Sequence, residues 1–214
     1  MAEDALSFDQ VQRYLAGLVP PRPKILMEME EYAREHDFPI IGPACGHFCY
    51  LIARLSGARS VFELGSGFGY STAWFARAVT ENGGGVVHHV VWDEELSQQA
   101  RTNLEQLGYG QMIRYHVGEA VAALRNATGP FDLIFNDIDK EGYPGSIPVI
   151  EDKLRAGGVL IIDNFLWSGR IFDDADRSPE TEGIRESTRI LHDSDRWTAT
   201  VVPIRDGLLL ARKA

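Results

Sequence analysis

The chain has 214 residues, of which 44% are hydrophobic and 24% are charged, a composition typical of globular proteins. A chain of this length can bury a sufficient core, so we expect one domain over residues 1–214, and disordered, collagen-like and disulfide-stapled proteins are excluded. Its 21 basic and 31 acidic residues give a net charge of −10, which disfavours nucleic acid or an anionic membrane as a bulk partner.

The first 55 residues are predicted to form helices that precede the main fold. Apolar side chains from Val11 to Leu18 recur at helical spacing, a proline-rich break follows at residues 20–23, and another helix begins near Ile25. The N-terminal sequence has no targeting pattern, and no apolar run approaches the ~20 residues that span a bilayer. We therefore expect a cytoplasmic protein without a membrane partner.

The two cysteines are spaced to share one face of a helix. Cys45 and Cys49 lie four positions apart in a segment of helical pattern. Nothing in this count indicates a disulfide framework, and reduced thiols in the core are the simplest interpretation.

Residues 56–214 are predicted to form a ligand-binding core in which strands alternate with helices. This alternation indicates an α/β fold, a Rossmann-like, doubly wound sheet of seven mostly parallel strands that ends in an antiparallel hairpin. The predicted strands are residues 60–63, 86–92, 112–117, 133–137, 159–163, 198–202 and 208–212. The predicted helices are residues 71–80, 94–107, 120–126, 146–154 and 182–191.

A glycine-rich turn, G-S-G-F-G from Gly65 to Gly69, joins the first strand to its helix. Ligands of open parallel sheets bind beyond the carboxyl ends of the strands, where glycines allow a close approach of the backbone. The Gly-Lys-Ser/Thr ending of a phosphate loop is absent, and the glycine spacing differs from G-x-G-x-x-G. Glu63 precedes the turn and suits a ligand's ammonium group better than a phosphate. A plain strand-to-helix connection is the alternative interpretation.

Two groups of oxygen-bearing side chains follow predicted strands. Asp137 and Asp139 belong to the sequence N-D-I-D-K, and Asp163 and Asn164 follow the next buried strand. Neighbouring strands lie about 4.8 Å apart, so Asp137, Asp163 and Asn164 can meet as three hard oxygen donors, which suit Mg²⁺. Ordinary turn and helix-cap residues are the alternative.

The segment FELGSGFGYS, residues 62–71, resembles the first motif of class I S-adenosylmethionine-dependent methyltransferases. The segments FDLIFNDIDK, residues 131–140, and GGVLIIDNFLW, residues 157–167, closely resemble those of the cation-dependent O-methyltransferases, which include catechol and caffeoyl-CoA O-methyltransferases. The resemblance extends from about Gly46 to Lys213. It implies S-adenosylmethionine (SAM) and a divalent cation as cofactors, a vicinal dihydroxy aromatic as methyl acceptor, and a homodimer.

The resemblance also assigns roles to individual residues. Asp137, Asp163 and Asn164 are the implied cation ligands, Lys140 and Asp137 are the implied catalytic residues, and Asp139 orients ligands or water. Lys140 would accept the phenolic proton, although a solvated surface charge is its alternative interpretation. The implied cofactor-binding residues are Ile41, Glu63, Gly65, Ser66, Gly67, Tyr70, Ser71, Val91, Trp92, Glu119, Ala120 and Asp137.

One position departs from the family pattern. The second strand of these enzymes commonly ends with an acid that binds the ribose hydroxyls, whereas Val91 stands there in this chain. Either Asp93 reaches back or the ribose is bound more weakly. Trp92 is expected to stack on adenine or to lie in the core, and Glu119 replaces an aspartate beside adenine. His88 and His89 are interpreted as core residues rather than ligands.

Two other functions remain open from the sequence. Some relatives methylate a hydroxylated uridine of tRNA, for which Arg22, Lys24 and Arg170 would form a local basic patch. A nucleotide-dependent oxidoreductase or a non-catalytic ligand-binding module is the alternative from another class. In the leading interpretation Phe68, Tyr143 and Trp167 are candidate walls of an acceptor pocket, and residues 168–181 form a mobile loop beside it.

Overall fold

Three helices open the fold in the computed structural model, which describes residues 7–214. They are α1, Phe8–Gly17, α2, Lys24–Glu35, and α3, Gly42–Leu55. Ser7 begins α1 with a capping box, because its hydroxyl accepts from the Gln10 N–H while the Gln10 side chain accepts from the Ser7 N–H. The predicted N-terminal helices are confirmed from Phe8 onward, and residues 1–6 lie outside the described part.

One seven-stranded sheet, in the order β3-β2-β1-β4-β5-β7-β6, forms the centre of the fold. The pairs from β3 to β5 are parallel, whereas β7 is antiparallel to both β5 and β6. The predicted doubly wound sheet and its C-terminal hairpin are therefore confirmed. The strands are β1, Ser60–Leu64, β2, Val86–Val91, β3, Ile113–Val117, β4, Phe131–Asn136, β5, Leu154–Ile162, β6, Trp197–Val202, and β7, Leu208–Lys213.

Helices cover both faces of this sheet. Alternation along β1 sends Val61 into one apolar layer with α2 and α3, and sends Phe62 and Leu64 into the opposite layer. The first layer also contains α4 and α5, and the second contains α6, α7 and α8. These helices are α4, Tyr70–Glu81, α5, Glu94–Gln106, α6, Ala120–Asn126, α7, Tyr143–Lys153, and α8, Pro179–His192.

The strand order reverses beside β1. The chain moves outward from β1 through β2 to β3 and then returns to β4 on the other side of β1. Leu64 pairs with Asn136, and the Asp137 N–H donates to the Leu64 carbonyl at 2.8 Å. Because ligands of such sheets bind at the carboxyl ends of the strands near the reversal, this edge is the expected place of the site.

Two helices begin earlier than the sequence pattern predicts. α7 begins at Tyr143 and α8 at Pro179, each three residues before its predicted start. Pro144 and Pro179 stand in the first turns, where a missing N–H is tolerated, and Ser178 caps α8 by accepting from the Thr181 N–H. The proline and capping signals outweigh the apolar spacing used for the prediction.

The segment predicted as a loop at residues 168–181 is partly structured. It contains a 3-10 turn, Trp167–Phe172, and the beginning of α8. The Arg185 guanidinium donates to the carbonyls of Ile171, Asp173 and Asp176, which links the segment to α8. Its predicted mobility stays a prediction.

Cys45 and Cys49 are free thiols, fully buried in α3, which confirms their interpretation as core residues. Burial raises the pKa of the Cys45 thiol to about 12. Among residues 7–214, no helix combines the length and the apolar character needed to cross a membrane.

Candidate active site

The glycine turn closes tightly against the ends of two neighbouring strands. Gly65 has a φ of 85°, and a Cβ at this position would collide with the Asp137 carbonyl oxygen. The Ser66 N–H donates to the Val90 carbonyl at 2.9 Å, and the Ser66 hydroxyl accepts from the Val90 N–H at 3.0 Å. The turn is therefore fixed to β2, while its backbone passes directly over the end of β4.

Glu63 lies fully buried beneath this turn. Its Oε2 accepts from the Thr72 hydroxyl of α4, and its Oε1 has no hydrogen-bond partner among the described residues. Burial raises the pKa of Glu63 to about 7, against the opposing effect of nearby hydroxyls such as that of Ser71. The carboxylate links β1 to α4, and its direct contact with a ligand's ammonium group stays a prediction.

Three adjoining cavities cross the carboxyl edge of the sheet, and we call them together the trough. Their volumes are about 360, 40 and 270 Å³, and all three are lined by both Gly65 and Asp137. Of the residues assigned to SAM, only the buried Glu63 lines none of them. The first cavity is lined by Val91, Trp92, Glu119 and Ala120, the second by Ile41, Ser66, Gly67, Tyr70 and Ser71, and the third by Lys140, Asp163 and Asn164.

The first cavity has no acid at the end of β2. Val91 is 9% exposed and pairs with Val117 of β3. Asp93 does not line the cavity, because its Oδ1 accepts from the Leu96 N–H at 2.9 Å and caps α5. The Asp93 carboxylate therefore does not reach back in this structure, and weaker ribose binding stays a prediction.

Trp92 and Glu119 flank the same cavity in different ways. Trp92 is 70% exposed, so its interpretation as a core residue is wrong, and its indole is free to stack on a ligand. Both carboxylate oxygens of Glu119 already accept backbone N–H groups, those of Val121 and Ala122, at the start of α6. The contact of Glu119 with adenine therefore stays a prediction.

The predicted oxygen donors meet where β4 and β5 end. Asn136 and Ile162 pair, the Asp163 N–H donates to the Asn136 carbonyl at 3.1 Å, and Asp137 and Asp163 follow on adjacent strands. Burial raises the pKa of both carboxyls, and the charge of Asp163 raises that of Asp137 further. The Oδ1 of Asp163 is buried without a hydrogen-bond partner in the described part of the chain.

The third donor, Asn164, has a left-handed backbone with a φ of 56°. Its Nδ2 donates to Asp206 at 3.4 Å, which holds the amide at the rim of the third cavity. Residues 7–214 contain no group of three or more His, Cys, Asp or Glu side chains placed to hold a metal ion. The expected set differs from such a group, because it uses two carboxylates and one amide.

Lys140 lies beside these acids and is not a solvated surface charge. Its Nζ is 3.5 Å from Asp137 Oδ1, and its side chain is 15% exposed. The ammonium group also lies 5.6 Å from the Trp167 ring and 5.8 Å from the Tyr143 ring. Two aromatic faces and one carboxylate thus direct Lys140 toward the third cavity.

The candidate walls of the acceptor pocket have different environments. Tyr143 is fully buried, and its hydroxyl donates to the Asp163 carbonyl at 3.0 Å, so it supports the acid cluster and is not a wall. Phe68 is 2% exposed and packs edge-on against Tyr32 and Phe38. The Trp167 ring lies 5.6 Å from Lys140 Nζ, and Trp167 stays a candidate wall of the acceptor pocket.

A larger cavity of about 760 Å³ adjoins the trough. Asn164 and Arg205 line both this cavity and the third cavity of the trough. Phe8 of α1 and Phe172 line it as well, and the sequence analysis assigned no function to Arg205 or to either phenylalanine. No local motif contains them, because they come from three remote segments that only the tertiary fold brings together.

The predicted basic patch is neutralised by carboxylates. The three cations are partnered at 2.6 to 2.7 Å: Arg22 by Glu30, Lys24 by Glu28, and Arg170 by Asp176. Glu30 also accepts from the Tyr70 hydroxyl, so Arg22 serves the packing of α2 on α4. Each of the three cations thus has a carboxylate partner, and the tRNA acceptor stays a prediction.

The histidines of β2 are structural, as expected. His89 is fully buried with its Nε2 3.1 Å from the Gly67 carbonyl, and burial lowers its pKa to about 4, so the neutral ring donates to the glycine turn. His88 stacks on His116, with 3.0 Å between Nδ1 and Nε2.

Comparisons with known proteins agree with this geometry. A family model described as O-methyltransferase matches residues 21–214. The catechol O-methyltransferase of Niastella koreensis is 28% identical over 215 residues, which cover 95% of this chain and 96% of the relative.

Two solved structures extend the comparison to three dimensions. The O-methyltransferase TomG from Streptomyces achromogenes, in complex with SAM, has 28% identity and a TM-score of 0.85 over 95% of this chain and 96% of its own. The Bacillus cereus O-methyltransferase, in complex with S-adenosylhomocysteine (SAH), has 27% identity and a TM-score of 0.87 over 97% and 100%. With the family match spanning the glycine turn and the acid cluster, this chain belongs to the O-methyltransferase family and is an enzyme that uses SAM as its methyl donor.

Proposed function

We propose that this enzyme methylates one of two adjacent hydroxyl groups on an aromatic small molecule, with Mg²⁺ held by Asp137, Asp163 and Asn164. The observation that carries the proposal is the buried Oδ1 of Asp163, which has no hydrogen-bond partner within residues 7–214. It lies beside Asp137, whose own Oδ1 is 3.5 Å from Lys140. The Niastella koreensis relative, a catechol O-methyltransferase, supports the same acceptor class.

The side chains at this site fit a divalent cation. Two carboxylates and an amide are hard oxygen donors that leave positions open for water and substrate oxygens. Burial raises the pKa of both carboxyls, and the charge of Asp163 raises the pKa of Asp137 further, as expected where a counter-charge stabilises the ionised forms when bound. Bound there, Mg²⁺ would act as a Lewis acid on a chelated phenol, whose pKa is otherwise about 10.

The chain's residues hold the two reactants next to each other. SAM supplies a methyl group that is electrophilic because it is attached to a sulfonium. The second cavity, along the glycine turn, suits the methionine half of SAM, and the first cavity, beside Trp92, suits the nucleoside half. Asp137 lines all three cavities of the trough, so the acceptor oxygens and the methyl group would meet beside it.

Lys140 is the general base in the proposed reaction. Its Nζ, in the neutral form, accepts the proton of the hydroxyl group that attacks the methyl carbon. Its packing against Trp167 and Tyr143 restricts the flexible side chain to the neighbourhood of Asp137. Deprotonation and attack therefore take place at one end of the trough, close to the acids that order the acceptor.

The test is methyl transfer from labelled SAM to catechols such as caffeate and 3,4-dihydroxybenzoate, measured with Mg²⁺ and with EDTA in parallel. We expect turnover with Mg²⁺, and loss of turnover in EDTA that added Mg²⁺ restores. Resorcinol, whose two hydroxyls are not adjacent, serves as the control acceptor. Equal turnover in EDTA would contradict the cation assignment, and no turnover of any catechol would contradict the acceptor assignment.

A further inference from the structure

Arg205 lies between the third cavity of the trough and the larger cavity beside it. It belongs to the turn that joins β6 to β7 and lines both cavities, together with Asn164. A side chain at this boundary would contact an acceptor whose hydroxyls reach Asp163 and whose remainder fills the larger cavity. Its chemistry therefore bears on which acceptors fit.

The backbone at Arg205 is held in a strained conformation. Its φ is 50°, in the left-handed region that residues other than glycine seldom adopt. The Arg205 N–H donates to the Gln12 side chain of α1 at 2.6 Å, and the Gln12 amide donates to the Pro203 carbonyl at 3.4 Å. The contact with α1 fixes the turn, and strain of this kind concentrates at functional sites.

The guanidinium of Arg205 is available to a ligand. Its side chain is 42% exposed, and its Nη1 lies 3.8 Å from Asp163 Oδ2, which is too far for a hydrogen bond. Within residues 7–214, no group accepts a hydrogen bond from this guanidinium. Planar guanidinium groups bind carboxylates with two parallel hydrogen bonds, so an anionic ligand would use donors that are free here.

The other charged residue that lines the larger cavity, Asp206, already has hydrogen-bond partners. Asp206 is its one acidic lining residue among those described, and its carboxylate accepts from the Ser168 N–H and from the Asn164 amide. Arg205 is the one cationic lining residue in this part of the described chain. The lining therefore carries one charge of each sign, but the Arg205 guanidinium keeps hydrogen-bond donors that no described residue occupies.

The remaining wall of the larger cavity is apolar and aromatic. Phe8 is 53% exposed and Phe172 is 74% exposed, and Leu166 and Pro203 complete the apolar surface. Large exposed aromatic side chains that border a concave surface are typical of ligand contacts. This wall suits an aromatic ring or an unsaturated side chain next to the guanidinium.

We infer that Arg205 is a specificity-determining residue that selects aromatic acceptors bearing an anionic group, such as a carboxylate. The inference rests on the proposed function, because it takes the acceptor to bind beside Asp163. The anionic group pairs with the Arg205 guanidinium while the ring contacts Phe8 or Phe172. Neutral catechols of the same size bind at the same place without that pair.

The first test measures binding, so that it does not depend on turnover. The SAH-loaded enzyme with Mg²⁺ is titrated calorimetrically with 3,4-dihydroxybenzoate and with the neutral, nearly isosteric 3,4-dihydroxybenzamide. We expect the benzoate to bind about tenfold more tightly to the wild type, as for a charge-assisted pair at a partly exposed site. In Arg205→Gln that preference should disappear while the benzamide affinity stays unchanged.

Arg205→Gly is a second variant, which controls for a loss of the preference that misfolding of Arg205→Gln would cause. Glycine adopts the left-handed backbone without strain, so this variant should unfold at a temperature no lower than the wild type and still lose the preference for the benzoate. Preference for the benzoate that persists in both variants would overturn the inference, as would equal affinities of the two compounds for the wild type.

Turnover separates the inference from the proposed function. We expect Arg205→Gln to raise KM for 3,4-dihydroxybenzoate about tenfold more than KM for 3,4-dihydroxybenzamide, because the pair contributes to binding of the anionic acceptor alone. A wild type that turns over neither compound contradicts the proposed function. The calorimetric preference still decides the role of Arg205 in that case.

Discussion

The trough has a nucleoside end, the first cavity, where we propose that the nucleoside half of SAM binds, and a reacting end, the third cavity, beside Lys140. Both ends have acids that follow strands, yet these acids serve different purposes. At the nucleoside end, Asp93 and Glu119 use their carboxylates to cap α5 and α6. At the reacting end, Asp163 keeps a buried oxygen without a hydrogen-bond partner among the described residues, and Asp137 has the amine of Lys140 at 3.5 Å. Asp93 and Glu119 are thus capping residues, whereas Asp137 and Asp163 keep carboxylate oxygens that a bound ligand can use.

The backbone that follows each acid explains the difference. Asp93 and Glu119 stand directly before helices, whose first N–H groups have no partner within the helix and take the nearest carboxylate. Asp163 is followed by Asn164 in a left-handed conformation, and the 3-10 turn after Asp137 begins only at Lys140. Irregular backbone after a strand leaves its terminal acid available to a ligand.

The largest expected effect on turnover comes from neutralising an acid of the reacting end, which would remove the difference between the two ends. Asp163→Asn keeps the shape of the side chain but removes one charge that would hold the cation. We expect turnover to fall about 10³-fold, the several kcal/mol that a Lewis acid contributes, and Mg²⁺ affinity measured by calorimetry to fall with it. Asp152→Asn, at an exposed position of α7, is the matched control and should retain both. Unchanged Mg²⁺ affinity in Asp163→Asn would exclude Asp163 as a ligand.

The next largest effect is expected from replacing Glu63, beneath the glycine turn. The replacement should change the unfolding free energy by an amount that depends on pH. Because its pKa in the folded protein is about 7 and its ordinary value 4.5, the folded state holds the proton more tightly than the unfolded chain. The resulting stabilisation is present below pH 4.5 and is lost as the pH rises through 7. Glu63→Gln should therefore exceed the wild type in unfolding free energy at pH 8 by up to about 3 kcal/mol, and by much less at pH 5.

Urea unfolding of Glu63→Gln and the wild type at several pH values measures this difference. Glu35→Gln, at an exposed position near the end of α2, is the control, and its stability should follow that of the wild type throughout. If the Glu63→Gln and wild-type curves ran parallel between pH 5 and pH 8, the buried carboxylate would not titrate as expected.

Restoring an acid at the end of β2 sharpens the comparison at the nucleoside end. In Val91→Glu the new carboxylate lines the first cavity and can accept from the ribose hydroxyls. We expect SAH to bind about tenfold more tightly to Val91→Glu than to the wild type in calorimetry. Adenosine should bind more tightly to the variant as well, whereas 2′,3′-dideoxyadenosine, which lacks both ribose hydroxyls, should not. Val91→Gln, of equal length and without the charge, should gain less. SAH affinity that does not rise in Val91→Glu would count against the position assigned to Val91.

The smallest effect concerns Asp93, which we interpret as a cap and not as a ribose ligand. Asp93→Ala should lower the unfolding free energy by about 1 kcal/mol, whereas Asp93→Ser, which preserves a capping oxygen, should lower it less. Both variants should keep the SAH affinity of the wild type within about twofold. A selective loss of SAH binding in Asp93→Ala would indicate that Asp93 binds the ribose and would contradict its interpretation as a cap alone.

Much of the fold follows from local pattern. The strand before Gly65 and the buried strand before Asp163 have apolar runs bounded by turn residues, and their places in the sheet agree with the prediction. Helix starts were less accurate, since Pro144 and Pro179 act through the first turn rather than through apolar spacing. The environment of Tyr143 was not predictable, because its burial depends on packing across the second layer.

The sequence by itself determined the order of elements, the glycine turn and the identity of the acids that follow β4 and β5, because these depend on residues close together in the chain. Only the tertiary structure decided which acids remain free, since capping depends on the backbone that follows each one. It alone also brought Phe8, Phe172 and Arg205 to one cavity from segments far apart in sequence. Contacts between remote segments leave no periodic signal, so this cavity became visible only in the folded chain.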